Sequence, residues 1–368
     1  MGEISFKNVT KDFTAPAKGR RTRALDKLSF TVNDGEFLTL LGPSGCGKTT
    51  TLNLIAGILN PSEGEIYINQ KLVNDIPVHK RNIGMVFQSY ALFPHMNVFD
   101  NVAFGLRMKK RPRREIPALV AGALRLVNME GFGERKPAEL SGGQQQRIAL
   151  ARALVFDPDV LLLDEPLSNL DAKLRESVRF EILQLHAKTK KTIVFVTHDQ
   201  IEALTMSDRI ILMNQGRVEQ TASPVELYSN PATAFAAGFI GSGSFIDCKV
   251  IDCSGSMITA AFNGITVSAC APPGPALAPG ADAVLAVRPE NVRLLNRDNT
   301  ETFLNVLEGR LVNTVFQGAD TLLYLDINGA LLKAVAANQT NVRPGDTVTV
   351  GFDEARVFGK QGIDNICT

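Results

Sequence analysis

The sequence predicts an α/β domain with a largely parallel sheet, followed by a smaller all-β domain. In the first part of the chain, short and almost entirely apolar runs alternate with helical stretches, which is typical of strands buried on both faces of a parallel sheet. Toward the end, short segments are separated by turn signals at intervals of about 8–12 residues, which favours a small barrel or sandwich. A stretch rich in small residues around Pro231 indicates a linker, so we expect domains over 1–236 and 237–368.

The individual elements follow from hydrophobic periodicity and from the turns that flank them. The predicted strands of the first domain are FLTLL, IGMVF, VLLLD, TIVFVTH and RIILM, and its helices span 48–57, 115–128, 142–156, 171–188 and 199–206. The predicted strands of the second domain are FIDCKVI, SMITAAF, ITVSA, AVLAVRP, GRLVNTVF, TLLYLDI, LLKAVAA and TVTVGF. We expect the loop APPGPALAPG at its surface, and its two β-rich blocks are candidate half-repeats.

The composition excludes several classes of protein. The 368 residues are 45% hydrophobic and 21% charged, as in an ordinary folded chain, and the net charge of +1 gives no overall attraction to nucleic acid. No apolar run approaches the roughly 18 residues of a spanning helix, and no signal peptide opens the chain, so we expect it in the cytoplasm. The cysteines show no metal-binding or disulfide spacing and are interpreted as reduced core or loop residues; they are Cys46, Cys248, Cys253, Cys270 and Cys367.

The strongest motif is a phosphate-binding loop, GPSGCGKT, which lies between a predicted strand and a predicted helix. Its glycines let backbone N–H groups surround phosphates, Lys48 reaches the β and γ oxygens, and Thr49 offers a hydroxyl to Mg²⁺. A purely structural glycine turn would not also place Lys-Thr at the start of the helix. The candidate nucleotide ligands are Gly42, Pro43, Ser44, Gly45, Cys46, Gly47, Lys48, Thr49 and Thr50.

Polar residues follow three other predicted strands. Asp164 and Glu165 end VLLLDE, where the first carboxylate would hold Mg²⁺ and the second would act as general base for water, although a capping turn is the alternative. His198 follows TIVFVT and could bond the γ-phosphate, or be an ordinary surface or core histidine. Gln88 follows IGMVF and could reach Mg²⁺ or the attacking water, or simply end its strand.

These motifs, together with LSGGQQQR from Leu140, resemble those of the ATP-binding cassette (ABC) ATPases over residues 1–236. The resemblance implies a P-loop ATPase fold that uses ATP and Mg²⁺. SNLD lies where the family has its D-loop, with Asn169 replacing the usual Ala and Asp171 in place. Phe13 matches the aromatic residue that stacks on adenine, where Tyr is common; a buried strand residue is the alternative.

The resemblance also implies a partner for LSGGQ. Family members form head-to-tail homodimers in which this signature of one chain meets the γ-phosphate held by the other. Ser141, Gly142 and Gly143 would then donate to a phosphate bound by the partner, and Gln145 would contact the partner's ribose or backbone. ATP would close such a dimer and hydrolysis would open it.

The remaining features concern partners. Tyr90, Leu92, Phe93 and Met96 are expected to be exposed beside Gln88, as a groove for a helix of a membrane subunit or as ordinary packing surface. The basic run LRMKKRPRREI is interpreted as a solvated face, with lipid contact as the alternative. LAVRPENVRLL resembles the oligonucleotide-fold-like (OB-like) TOBE domain of bacterial importers. It lacks the aromatic platforms of nucleic-acid binders, so a regulatory or dimer-stabilising role is expected and nucleic acid is not.

Among importers, the segment from His198 to Gly241 most resembles the spermidine/putrescine import ATPases, while ferric-iron, sugar and sulfate importers share much of it. This resemblance implies two transmembrane permease subunits as partners, an extracytoplasmic solute-binding protein as an indirect one, and a peripheral position on the cytoplasmic face of the cell membrane. A soluble ABC mechanoprotein acting on ribosomes or DNA is the alternative from another class, and a P-loop kinase is a third.

Overall fold

A computed structural model describes residues 2–14, 21–273, 276–295, 302–338 and 342–360. The chain divides into two compact units, Met1–Val225 and Glu226–Thr368. Within the described residues, no helix is both long and apolar enough to cross a membrane. Cys367 and part of the predicted loop over 271–280 lie outside the described residues.

The first unit contains ten strands and six helices among its described residues. They are β1 (Ile4–Thr14), β2 (Arg21–Val32), β3 (Phe37–Leu41), α1 (Lys48–Ala56), β4 (Glu63–Ile68), β5 (Lys71–Leu72), β6 (Ile83–Val86), α2 (Val98–Met108), α3 (Ile116–Leu126), α4 (Gly142–Leu154), β7 (Val160–Asp164), α5 (Ala172–Thr189), β8 (Thr192–Thr197), α6 (Gln200–Met206), β9 (Arg209–Asn214) and β10 (Arg217–Ala222).

The central sheet of this unit has the order β10-β9-β3-β8-β7-β6 and is parallel except for the edge pair β10 and β9. Every residue of β3 and β8 is buried, because helices and a second sheet leave no face of these strands to solvent. The α/β fold class is therefore confirmed. The five predicted helices are all present, with ends within two residues of those expected.

An antiparallel sheet with the order β2-β1-β4-β5 was not expected from the sequence. The long strand β1 does not show a continuous alternation of apolar and polar residues. Its pairing register shifts between Phe6 and Val9, and Asn8, which lies between them, has a left-handed φ of 49°. Helix α2 was also missed; it starts after Asn97, whose side chain accepts a hydrogen bond from the Asp100 N–H at 2.8 Å.

The second unit is almost entirely β-structure, and the predicted all-β domain is confirmed. Its elements are α7 (Pro224–Ser229, which begins just before the division), α8 (Ala234–Phe239), β11 (Ser244–Ser254), β12 (Met257–Phe262), β13 (Ile265–Cys270), β14 (Asp282–Val287), β15 (Arg293–Leu295), β16 (Asn305–Phe316), β17 (Asp320–Ile327), β18 (Ala330–Ala337), β19 (Thr347–Phe352) and β20 (Arg356–Gly359). A closed barrel β11-β12-β13-β20-β14 accompanies a sheet β15-β19-β16-β17-β18. The late strand β20 closes the first block, so the two blocks are not separate half-repeats.

The segment predicted as a linker is structured and packs on the barrel of the second unit. Helix α8 begins with a Thr233 cap, and its alanines pack with Phe358 of the barrel. The Tyr228 hydroxyl donates to the Glu290 carboxylate, and the Arg288 guanidinium donates to the Ser242 carbonyl at 3.0 Å. Small residues here permit close packing against the barrel, which the sequence pattern alone could not distinguish from flexibility.

Candidate active site

The P-loop turns between β3 and α1 with three glycines at positive φ: Gly42 at 156°, Gly45 at 81° and Gly47 at 106°. A Cβ on Gly47 would lie 2.6 Å from Leu25 Cδ2 and 2.9 Å from the Ala24 carbonyl, so both conformation and space require glycine. Glycines in this conformation allow the loop to turn backbone N–H groups toward an anion at the N-terminus of α1.

Lys48 is buried in this loop, and among the described residues its ammonium bonds to two backbone oxygens of the loop and makes a weak contact with a sulfur. Nζ donates to the Gly42 carbonyl at 2.7 Å and to the Pro43 carbonyl at 3.0 Å, with Cys46 Sγ at 3.9 Å. Neutral carbonyls are weaker partners for a cation than phosphate oxygens, so the ammonium can exchange them for a nucleotide. Cys46 faces the core, where burial raises the pKa of its thiol and keeps it unreactive.

Thr49 and Asp164 form an oxygen pair beside the loop. The Thr49 hydroxyl donates to Asp164 Oδ1 at 3.2 Å. Burial raises the pKa of Asp164 above its usual range, with a smaller contribution from the charge of Glu165, against the opposing effects of the Thr49 hydrogen bond and Lys48. A nearby cation would favour the ionised carboxylate.

Glu165 lies in contact with two polar side chains that follow neighbouring strands of the central sheet. Gln88 Nε2 lies 3.4 Å from Glu165 Oε2, and His198 Nδ1 lies 3.2 Å from the same oxygen. The meeting follows from the sheet order, since Gln88, Glu165 and His198 follow β6, β7 and β8. Glu165 has a left-handed φ of 41°, and its N–H is held by the Val196 carbonyl at 3.0 Å. The structure thus brings all three predicted side chains together.

Ser168 completes this cluster and was missed by the sequence analysis. Its hydroxyl lies 3.3 Å from Gln88 Nε2 and donates to the Glu165 carbonyl at 2.9 Å. Asn169, the departure from the D-loop pattern, donates from Nδ2 to the Gln88 carbonyl at 2.8 Å. The position of SNLD directly after the Glu165 turn was the signal that could have found both contacts.

The signature segment begins α4 with a capping box. The Ser141 hydroxyl accepts from the Gln144 N–H at 3.4 Å, and Gln144 Oε1 accepts from the Ser141 N–H at 2.9 Å. Gln145 Nε2 donates to the carbonyls of Pro137 and Leu140, and Gln146 is fully buried. Gln144 and Gln145 are thus engaged within their own chain.

Tight packing explains Gly143 of the signature, whereas a side chain at Gly142 would meet its neighbour at an ordinary contact distance. A Cβ on Gly143 would lie 2.9 Å from Leu174 Cδ1, and one on Gly142 would lie 3.4 Å from Leu170 Cδ2. Asp171 caps α5, because its carboxylate accepts from the Leu174 N–H at 2.9 Å. The helix of LSGGQ therefore packs against the segment that contains the D-loop.

Phe13 lies on β1 with 41% of its surface exposed, and Lys11 Nζ lies 5.2 Å from the centre of its ring. The alternative interpretation of a buried strand residue is wrong for this side chain. The prediction that Tyr90 is exposed is also wrong: this residue, which has a left-handed φ of 60°, is 5% exposed and belongs to the core. Leu92, Phe93 and Met96 are half-buried.

Comparisons with known proteins match both parts of the chain. A model of the ABC transporter family matches residues 25–168, and a model of the TOBE domain matches residues 285–358. A spermidine/putrescine import ATP-binding protein of Lawsonia intracellularis is 46% identical over 363 residues, which are 98% of this chain and 95% of that protein. The chain belongs to the ABC transporter ATP-binding proteins. As an ABC ATPase it binds and hydrolyses ATP.

Other relatives of this ABC ATPase carry related names. A spermidine/putrescine import ATP-binding protein of Rubrobacter xylanophilus is 44% identical over 98% of this chain and 94% of its own length. An Fe(3+) ions import ATP-binding protein of Rhizobium meliloti is 45% identical over 96% of each chain. A dimeric post-hydrolysis structure of an ATP-binding cassette with ADP and Pi has a TM-score of 0.54 and 36% identity, covering 60% of this chain and 98% of that one.

Proposed function

We propose that this ABC ATPase powers the import of a polyamine, spermidine or putrescine. The observation that carries the proposal is the match to relatives of that name along nearly the whole chain, the second unit included. The relative named for Fe(3+) is almost as similar, so ferric iron is the second candidate. Substrate identity is weakly encoded here because the transported solute does not contact the ATPase subunit.

In the proposed hydrolysis, Glu165 accepts the proton of the attacking water. A carboxylate does this best when its orientation is fixed, and Gln88 and His198 both approach Glu165 Oε2. His198 and Gln88 would orient that water and the γ-phosphate, while Lys48 stabilises the charge that develops on the phosphate oxygens.

Mg²⁺ is the metal that these residues fit. The Thr49 hydroxyl and the Asp164 carboxylate supply hard oxygen ligands 3.2 Å apart, and Mg²⁺ is usually held by one or two such groups together with phosphates and water. Gln88 could add its amide oxygen. The ion would neutralise phosphate charge, and burial of Asp164 makes that carboxylate a strong ligand because its ionised form lacks full hydration.

A second copy of the chain completes the nucleotide site in this proposal. The N-terminus of α4 presents Ser141, Gly142 and Gly143, which would donate to the γ-phosphate held by the partner's P-loop. Asp171 and Gln145 would lie near the same nucleotide, and Phe13 would stack on the adenine of its own chain. The dimeric arrangement of the solved relative supports this site.

Two permease subunits are the proposed membrane partners, with a solute-binding protein outside the membrane and the ATPase peripheral on the cytoplasmic face. The loop after Gln88 is the proposed contact for a permease helix. Its half-buried Leu92, Phe93 and Met96 leave part of an apolar surface accessible beside the glutamine. Movement at the nucleotide would reach the permease through this loop.

Uptake by cells tests the proposed substrate. A deletion strain carrying the wild-type chain should accumulate labelled spermidine or putrescine, while the same strain carrying Glu165→Gln should not. Glu63→Gln is the matched control, because Glu63 is exposed on β4 away from the motifs. Uptake of ferric iron in place of polyamine would establish the second candidate and reject the first.

A further inference from the structure

The loop after Gln88 adopts an unfavourable backbone conformation that the site described above does not explain. Tyr90 and Ala91 are successive residues with left-handed φ values of 60° and 48°. Residues with a side chain rarely occupy this region, and a pair of them persists only where the surroundings hold it. Such strain next to Gln88 indicates that another group fixes the loop.

Arg152, in the last turn of the signature helix α4, is that group. Its Nη1 donates to the Ala91 carbonyl at 2.7 Å and its Nη2 donates to the Tyr90 carbonyl at 2.8 Å. The two left-handed residues turn successive carbonyls toward one guanidinium, whose planar fork matches two acceptors at once. A lysine ammonium offers no such fixed pair of donors.

The rest of the loop is held by Asn101 of α2. Asn101 is fully buried; its Oδ1 accepts from the Phe93 N–H at 2.8 Å, and its Nδ2 donates to the carbonyls of Phe93, Met96 and Asn97 at 3.0–3.2 Å. The Phe93 ring also lies 5.6 Å from the Arg152 guanidinium. The loop is therefore fixed to α2 and to α4 along its length.

We propose that Arg152 is a positioning residue that makes Gln88 and Ser141 move as one body. Gln88 contacts Glu165 of its own chain, whereas Ser141 lies at the other end of the helix that carries Arg152. Docking of Ser141 on the partner's nucleotide would then place Gln88 for hydrolysis in its own chain. The inference rests on the ATPase mechanism proposed above and is independent of the transported solute.

The first test compares Arg152→Lys with wild type in the purified full-length protein. Loss of the fork should lower kcat for ATP about tenfold, which is the effect of losing a charge-assisted hydrogen bond, while KM for ATP changes less than about twofold. Arg125→Lys is the matched control, because Arg125 is a largely exposed arginine on the neighbouring helix α3. A kcat for Arg152→Lys within about twofold of wild type would overturn the proposal.

The second test relieves the backbone strain in the variant that has already lost the guanidinium. Glycine adopts the left-handed conformation freely, so Ala91→Gly in the Arg152→Lys background should recover about fivefold of the lost kcat. A purely structural role for Arg152 would show no such rescue, and its absence overturns the proposal.

Ala91→Val with Arg152 intact tests the role of the loop conformation even if Arg152→Lys does not fold. Ala91 is exposed, so valine leaves the core untouched but disfavours positive φ. We expect a lower kcat with ATP binding retained, measured with a fluorescent ATP analogue. A wild-type kcat for this variant contradicts the proposal. No transported solute is present in these assays, so failure of the polyamine proposal would leave them unchanged.

Discussion

Gln88 and His198 both approach the same carboxylate oxygen of Glu165. We therefore expect the role of Glu165 to depend on its negative charge as well as on its shape. Glu165→Gln keeps the shape and removes the proton acceptor. We expect kcat for ATP to fall by at least about 100-fold, the usual contribution of a general base, with ATP binding retained. Phosphate release measured beside the Glu63→Gln control checks this. A variant that keeps a tenth of wild-type turnover would show that Glu165 is not the base.

The buried carboxylate of Asp164 should make the stability of the folded protein depend on pH. Because burial raises its folded pKa above its ordinary value of 3.8, the folded state binds more protons there than the unfolded state, and stability decreases as pH rises through that window. Asp164→Asn removes the buried charge, so the nucleotide-free variant should melt above wild type at about pH 7.5, and by less at about pH 4.5. A melting temperature below wild type at the higher pH would contradict this account.

At the residue scale, the sequence predicted the chemistry where the motif is local. Lys48 and Thr49 lie at a fixed distance after one buried strand, and Glu165 directly follows another. The sequence motif therefore predicts where these side chains lie in the fold. Arg152 was missed because its partners, Tyr90 and Ala91, are far along the chain, whereas Ser168 follows Glu165 closely and only its contact with Gln88 is remote. Tyr90 was misplaced because polarity patterns carry no information on a left-handed turn.

At the scale of elements, α4 contains an unsatisfied side chain. Gln146 is 0% exposed, and both its amide oxygen and its nitrogen lack a hydrogen-bond partner among the described residues. Such a group costs about 1–3 kcal/mol of stability. Gln146→Leu should therefore raise the free energy of unfolding by about 1 kcal/mol or more, as measured by urea denaturation.

Gln144→Leu is the matched control for that substitution. It removes the Gln144 half of the capping box at Ser141, so we expect a loss of about 0.5–1 kcal/mol. If Gln146→Leu destabilised the protein as much as Gln144→Leu, the prediction would be wrong, and the buried amide of Gln146 would have a hydrogen-bond partner beyond the described residues.

The sequence predicts best those strands and helices whose hydrophobic periodicity is unbroken from end to end. The parallel strands and the five helices expected of the first unit are continuous in pattern, and their ends agree with the structure. Strand β1 was missed because a bulge near Asn8 breaks its period of two, and α8 because small residues in a helix resemble those of a linker. Local irregularity and tertiary packing decide such segments.

At the scale of the whole molecule, each nucleotide site of the proposed dimer would take its residues from both chains. In that proposal the P-loop and Glu165 serve the nucleotide of their own chain, and Ser141 donates to the phosphate held by the partner. Ser141→Arg should abolish hydrolysis, because a bulky side chain would keep the two copies apart, while ATP binding to the monomer stays near wild type. Loss of ATP binding in the isolated monomer would place Ser141 in its own chain's site.

The most direct measurement is the mass of Glu165→Gln in solution with saturating Mg²⁺ and ATP, determined by light scattering. One chain has a mass of 39.9 kDa. A nucleotide site shared by two chains predicts twice that mass with ATP and a return to the mass of a single chain when Ser141→Arg is added to the same variant. A Glu165→Gln protein that binds ATP and keeps the mass of one chain would contradict the shared nucleotide site.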